Sequence, residues 1–134
     1  AIVGWHALNE VEWLTERRNL NAKWYDEGLR GIPGIIVPAR PAGIRQVYHT
    51  YVIQVERREE LQAFLRARGI DTKVHYPIPI HLQPGYAYLG YTIGDFPVAE
   101  AQAKSILSLP IHQFLTTAQV SHAIDSVREF YKGV

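Results

Sequence analysis

Residues 74–94, VHYPIPIHLQPGYAYLGYTIG, contain no Asp, Glu, Lys or Arg. A run of that length without charge ordinarily belongs to a buried core element or a membrane. Pro77, Pro79 and Pro84 exclude both a regular helix and a central strand, because each removes a backbone donor and fixes φ. What remains is an irregular loop, and it concentrates four of the eight tyrosines and two of the six histidines. Imidazole and phenol are neutral rings that donate and accept hydrogen bonds, the chemistry that positions a polar organic ligand. Two readings stand at this point: a structural loop packed from Tyr and Pro, or a binding site.

Composition narrows the rest. At 134 residues, 47% hydrophobic and 20% charged, the chain suits one domain with a core of its own. A net charge of +1, with Lys and Arg interleaved among Asp and Glu, lacks the basic stripe that nucleic-acid binding needs. Without cysteine there is neither a disulfide framework nor a thiolate metal site. No apolar run approaches the ~18 residues of a membrane helix, and AIVGWHALNE is no signal peptide. The chain starts at Ala1, has no Met and enters helical spacing at once, so it is expected to be a piece of a larger protein.

Ala7, Leu8, Val11, Leu14, Ala22, Tyr25, Leu29 and Ile32 recur at three- and four-residue steps, which predicts one amphipathic helix over roughly 2–30. Arg18 interrupts that stripe, where its long stem can still cover apolar surface. Gly31, Pro33 and Gly34 stop the helix. Short strands are expected at 35–37, 47–55, 72–74 and 106–109, the second being richest in β-formers. Helices are expected after Glu56 (ending at Gly69), from Pro97, and after Thr116, where Thr116 and Gln119 form a capping box. The fold class is therefore α+β: a two-layer domain with a mostly antiparallel sheet covered by helices on one face.

Among single residues, His75 and His81 stand six apart with no carboxylate between them, a poor spacing for zinc. A histidine beside Tyr76 can serve as hydrogen-bond donor or proton relay. His49 lies within the expected strand and reads as a satisfied core histidine, while His6, His112 and His122 have no chemical company. Ser105 and Ser108 lack a nucleophile elbow, and no glycine cradle for nucleotide phosphates occurs.

The order YHTYVIQV, GIDTKVHYPIPIHLQPGYAYLGY, GDFPVAE, ILSLPIHQFLT and a final amphipathic helix resembles the C-terminal, small domain of the DegT/DnrJ/StrS-type sugar aminotransferases. These are pyridoxal-phosphate (PLP) enzymes of fold type I. The resemblance covers the whole chain: residues 1–31 as the long connecting helix, 35–134 as the α+β body, and 74–94 as the active-site loop. It implies a full-length, cytoplasmic homodimer that moves an amino group from an amino-acid donor, commonly glutamate, to a nucleotide-linked keto sugar. The 3-keto position is favoured over the 4-keto, and the product serves polysaccharide, lipopolysaccharide or glycoside synthesis. PLP would be the electron sink. It also implies that the large PLP-binding domain is absent, since Lys23, Lys73, Lys104 and Lys132 do not match the Schiff-base motif; the fragment alone is expected to be inactive and to bind no cofactor. Carried over by the loop motif, His75, Tyr76, His81, Gln83 and Tyr86 are the expected substrate contacts, with no catalytic residue and no metal ligand. The alternatives are a non-catalytic sugar-nucleotide-binding or dimerisation module, and a PLP-dependent dehydratase or regulatory relative.

Overall fold

The structure, a computed structural model, describes residues 2–133; Ala1 and Val134, the outer limits of the expected 1–31 helix and 1–134 domain, lie outside the described residues. The expected single N-terminal helix is two, α1 (Ile2–Leu8) and α2 (Val11–Leu29). At the break, Asn9 N–H donates to His6 O (3.3 Å) and Glu10 N–H to Ala7 O (3.1 Å), three-residue bonds in place of helical four-residue ones. The physical reason is missing cover. No residue of α1 is buried, so nothing resists the local bonding preference of Asn9. The apolar stripe is consequently used only in its second half, where Ala22, Tyr25 and Leu29 are buried, while Ile2, Val3, Trp5, Leu8, Val11 and Trp13 remain exposed.

Three strands, β1 (Ile35–Ile36), β2 (Tyr51–Val55) and β3 (Ile106–Leu109), form an antiparallel sheet in the order β1-β2-β3. Ile35 pairs with Val55 and Tyr51 with Leu109. The second strand was expected from Val47 and begins four residues later. Tyr48 sits at φ 44°, a left-handed value that ends extended pairing; its ring is buried, 6.0 Å from that of Tyr51. The expected strand at 72–74 shrinks to one bridge, Lys73 with Ser108.

Alternation along β2 puts Tyr51, Ile53 and Val55 into the core. There they meet buried side chains of α2, of α3 (Arg58–Ala67) through Leu61 and Leu65, and of α5 (Thr117–Lys132) through Val120, Ile124 and Val127. Helix α3 closes on Gly69 (φ +75°), with Ile70 N–H bonded to Leu65 O and Gly69 N–H to Arg66 O, the paired bonds of a Schellman stop. The capping box forms as expected: Gln119 N–H donates to Thr116 Oγ1 (3.2 Å) and Thr116 N–H to Gln119 Oε1 (2.9 Å). Helix α4 (Pro97–Ser105) leads directly into β3. The domain is α+β with a three-stranded antiparallel sheet. Among the described residues no helix is long and apolar enough to cross a membrane.

Helices α2 and α5 approach most closely at Gly28, where an added Cβ would lie 2.6 Å from Ile124 Cγ2. Helix propensity alone favours Ala there by about 1 kcal/mol. Overpacking costs about 1–3 kcal/mol, and Ile124 is buried, so the clash wins. Gly28→Ala is expected to lower stability in urea unfolding by about 1 kcal/mol net; a stabilised variant would mean that the two helices can separate freely.

Candidate functional site

The loop enters from the sheet. Lys73 N–H donates to Ser108 O (3.2 Å) and Ser108 N–H to Lys73 O (2.8 Å), so residue 74 leaves from a fixed point beside β3. Two residues on, His75 Nδ1 lies 2.9 Å from Ser108 Oγ. That contact orients the ring and leaves Nε2 without a partner among the described residues. His75 borders a cleft of about 610 Å³, together with Arg18, His49, Lys73, His112 and His122.

Tyr76 turns away from this cleft. Its φ of 57° is unusual for a bulky residue, and Pro77 after it restricts the backbone further. Such a conformation costs about 1–3 kcal/mol and persists only where the surroundings impose it. The ring is 78% exposed and lies on a second, more apolar cleft of about 540 Å³ with Pro79, Ile80, Leu89 and Phe96. His81 lines the same cleft from below and is itself buried. Gln83 donates to Ile78 O (3.3 Å), bracing the turn at 80–82. Tyr86 is 41% exposed in the turn Pro84–Leu89. The five expected contacts thus divide: His75 on one cleft, Tyr76 and His81 on the other, Gln83 and Tyr86 on the outer loop.

Sequence reasoning misplaced or passed over six residues here, two of them His112 and His122, which line the first cleft with His49 and His75 instead of standing without chemical company. His49 is a correction: it is exposed on the cleft rather than satisfied in a core strand, because the strand starts after it. Arg18 does more than cover apolar surface, since its guanidinium donates to Gln113 Oε1 (3.2 and 3.3 Å) and to Tyr48 O (3.4 Å). Ser108 was read only as a failed nucleophile, whereas it orients His75. Glu100 stands in the first turn of α4, where a carboxylate favours the helix N-terminus, and it has a larger role. Its Oε1 accepts from Gly94 N–H (2.9 Å), Phe96 N–H (3.2 Å) and the His81 ring (Nε2, 3.1 Å), and Oε2 accepts from Gly94 N–H (3.1 Å). The signal available in the sequence was its isolation: Glu100 is the first carboxylate after Asp95 beyond a long neutral run.

The electrostatics follow from these contacts. The bond from Gly94, ahead of those from Phe96 and His81, holds the Glu100 carboxyl below its ordinary pKa against the opposing effect of burial. Burial raises the Tyr25 hydroxyl, which has no hydrogen-bond partner among the described residues and borders the first cleft. No cluster of three or more His, Cys, Asp or Glu able to hold a metal occurs among the described residues. A covalent PLP site also does not fit the lysines present. Lys23 and Lys73 are exposed and face Glu27 (3.8 Å) and Asp71 (3.0 Å), and Lys104 and Lys132 are exposed.

The profile of the DegT/DnrJ/EryC1/StrS aminotransferase family matches residues 1–128, and the chain belongs to that family. A dTDP-3-amino-3,4,6-trideoxy-α-D-glucose transaminase of Streptomyces venezuelae is 44% identical over 118 residues, covering 88% of this chain and 31% of its own length. A pleiotropic regulatory protein of Geobacillus stearothermophilus is 42% identical over 120 residues, 88% of this chain and 32% of that protein. Among solved structures, S. venezuelae DesV in complex with a ketimine intermediate superposes with a TM-score of 0.91 at 42% identity, over 95% of this chain and 34% of DesV. The chain therefore spans about a third of the length of the relatives it matches.

The lowered Glu100 pKa has a definite sign. A depressed carboxylate contributes stability above its unfolded pKa and loses it as pH falls through the folded value. The contacts of Gly94 and Phe96 are expected to keep full strength at pH 4.5, the ordinary value for this carboxyl, and to weaken only at lower pH. Amide chemical shifts of the two residues through an acid titration check this; a midpoint above 4.5 would contradict it.

Proposed function

We propose that this chain is the small-domain part of a PLP-dependent aminotransferase that transfers an amino group to a nucleotide-linked keto sugar. The observation that carries the reading is the family match over residues 1–128 joined to the likeness to DesV. In that reading PLP and its lysine belong to the remainder of the protein, and no chemical step is assigned to the lysines here. The 3-keto position is the proposed acceptor, supported by the 3-amino product in the name of the S. venezuelae relative. Glutamate as donor, a homodimer and a cytoplasmic setting complete the proposal.

The loop's part is binding and orientation. His75, held through Nδ1 by Ser108, presents Nε2, and Tyr76 presents a hydroxyl with no partner among the described residues. Both can donate to sugar hydroxyls or to a phosphate at small entropic cost, because Pro77 and Pro79 already restrict the backbone. His81, Gln83 and Tyr86 are proposed as secondary contacts. A regulatory role is the second reading, favoured by the name of the Geobacillus relative, a pleiotropic regulatory protein.

In the full-length protein, His75→Ala and Tyr76→Phe are each expected to lower kcat/KM for amino transfer to the keto sugar by about two- to tenfold, the worth of one neutral hydrogen bond. Melting temperatures should stay near the wild-type value. Unchanged turnover per folded molecule with lost stability would reduce the loop to packing. Absence of any transamination by wild-type protein across 3-keto and 4-keto nucleotide sugars would favour the regulatory reading.

A further inference from the structure

The neutrality of residues 74–94 raises a question of support. The loop has no strand partner beyond the Lys73–Ser108 bridge, and its only regular structure is the pair of short turns at 80–82 and 84–89. Its backbone donors nevertheless need acceptors. Near the loop's far end, Gly94 adopts φ +101°, a conformation that side-chain-bearing residues rarely take, and its N–H meets a carboxylate.

We propose that Glu100 is a positioning residue for the loop: one carboxylate, anchored on α4, clips its near arm at His81 to its far end at Gly94 and Phe96. The proposal rests on the functional reading above only where it concerns ligand binding. Three observations support it. The convergence is dense, since a single oxygen receives two backbone N–H groups and one imidazole at 2.9–3.2 Å. Both side chains of the clip are buried, His81 at 8% and Glu100 at 10% exposure, which limits the access of water to the carboxylate. Its effect also reaches the cleft. The His81 ring packs on Phe96 with centroids 4.7 Å apart, and both rings line the cleft that Tyr76 also borders. Tyr76 stands between the Lys73 bridge and His81, so release of the carboxylate frees one end of the segment that carries this left-handed residue and leaves the other held.

A carboxylate suits this place better than a neutral group because it can accept from several donors at once without offering a competing one. Glutamine retains one acceptor oxygen at the crowded Oε1 position, where three of the four contacts converge, and so should rescue most of the clip. Alanine removes all of them. Aspartate keeps the charge and withdraws it by one methylene.

The experiment uses full-length protein and two readouts. Hydrogen exchange reports the loop directly, and calorimetric titration with dTDP, repeated with UDP, reports binding. In Glu100→Ala the amides of Gly94 and Phe96 and those around Tyr76 should exchange about tenfold faster, a local opening with the core amides unaffected. Nucleotide affinity should fall about fivefold, and Glu100→Gln should restore both to within about threefold of wild type. If the alanine variant does not fold, Glu100→Asp carries the test, with faster loop exchange and weaker binding at an unchanged melting temperature. Wild-type exchange in the loop of either variant would overturn the clip. Faster exchange with unchanged affinity per folded molecule would overturn its part in binding. Wild-type protein that binds neither dTDP nor UDP would count against the sugar-nucleotide reading, and the exchange data would still decide the clip.

Discussion

The domain depends on one buried carboxylate, Asp26. It is 4% exposed, accepts a 2.7 Å hydrogen bond from the Tyr51 hydroxyl, and pairs with the Arg40 guanidinium. Burial of a lone charge is prohibitive, so the helix that carries Asp26 can dock only where both partners are supplied. That requirement sets α2 against the first residue of β2 and folds the 38–46 segment back over the contact. Tyr25, one residue earlier, stacks on Tyr51 with centroids 5.0 Å apart, which fixes the rotation of α2 as well as its position. Withdrawing one partner of such a pair typically costs about 3–5 kcal/mol, chiefly through the charge left behind.

The loop at 74–94 inherits its position from this contact by a short chain of hydrogen bonds. Tyr51 sits opposite Leu109 in the β2–β3 ladder, so placing Tyr51 places β3. Ser108, the neighbour of Leu109, then carries both the bridge to Lys73 and the hydroxyl that orients His75. Each link is a directional polar contact, and directional contacts transmit position more faithfully than apolar packing does. Burial, and then its bond to Asp26, push the pKa of the Tyr51 hydroxyl upward.

Much of this arrangement was readable from the residues, and the failures have physical causes. The capping box at Thr116, the stop at Gly69 and the proline start of α4 are local chemistry, decided by neighbours three or four positions away. The helix break at Asn9 and the late start of β2 are tertiary. Periodicity at Leu8 and Val11 promises an apolar face, yet only a packing partner makes such a face straighten a helix. Likewise Val47 and Tyr48 are good β-formers, but the Tyr48 ring enters the core and forces its own backbone left-handed. In the site, the loop was visible through its lack of charge. Glu100, Arg18 and Ser108 were not, because each acts through partners that only the fold brings near: His81 is 19 residues from Glu100 and Gln113 is 95 from Arg18. The enzyme class became readable through family resemblance alone, since the residues in this chain hold no complete catalytic set.

The bridge at Lys73 and the carboxylate at Glu100 also bear on how such a loop can change over evolutionary time. Both ends of residues 74–94 are tied to the scaffold by bonds that do not involve the residues between them, apart from His81. For a flexible segment held at its ends, each doubling of length costs only about 0.6 kcal/mol of closure entropy. Residues inserted after His81, in the turn Pro84–Leu89 for example, would leave the sheet, the core and both anchors in place. The domain thus separates a fixed geometry of attachment from a length-tolerant span, so that the loop can be lengthened without re-engineering the fold.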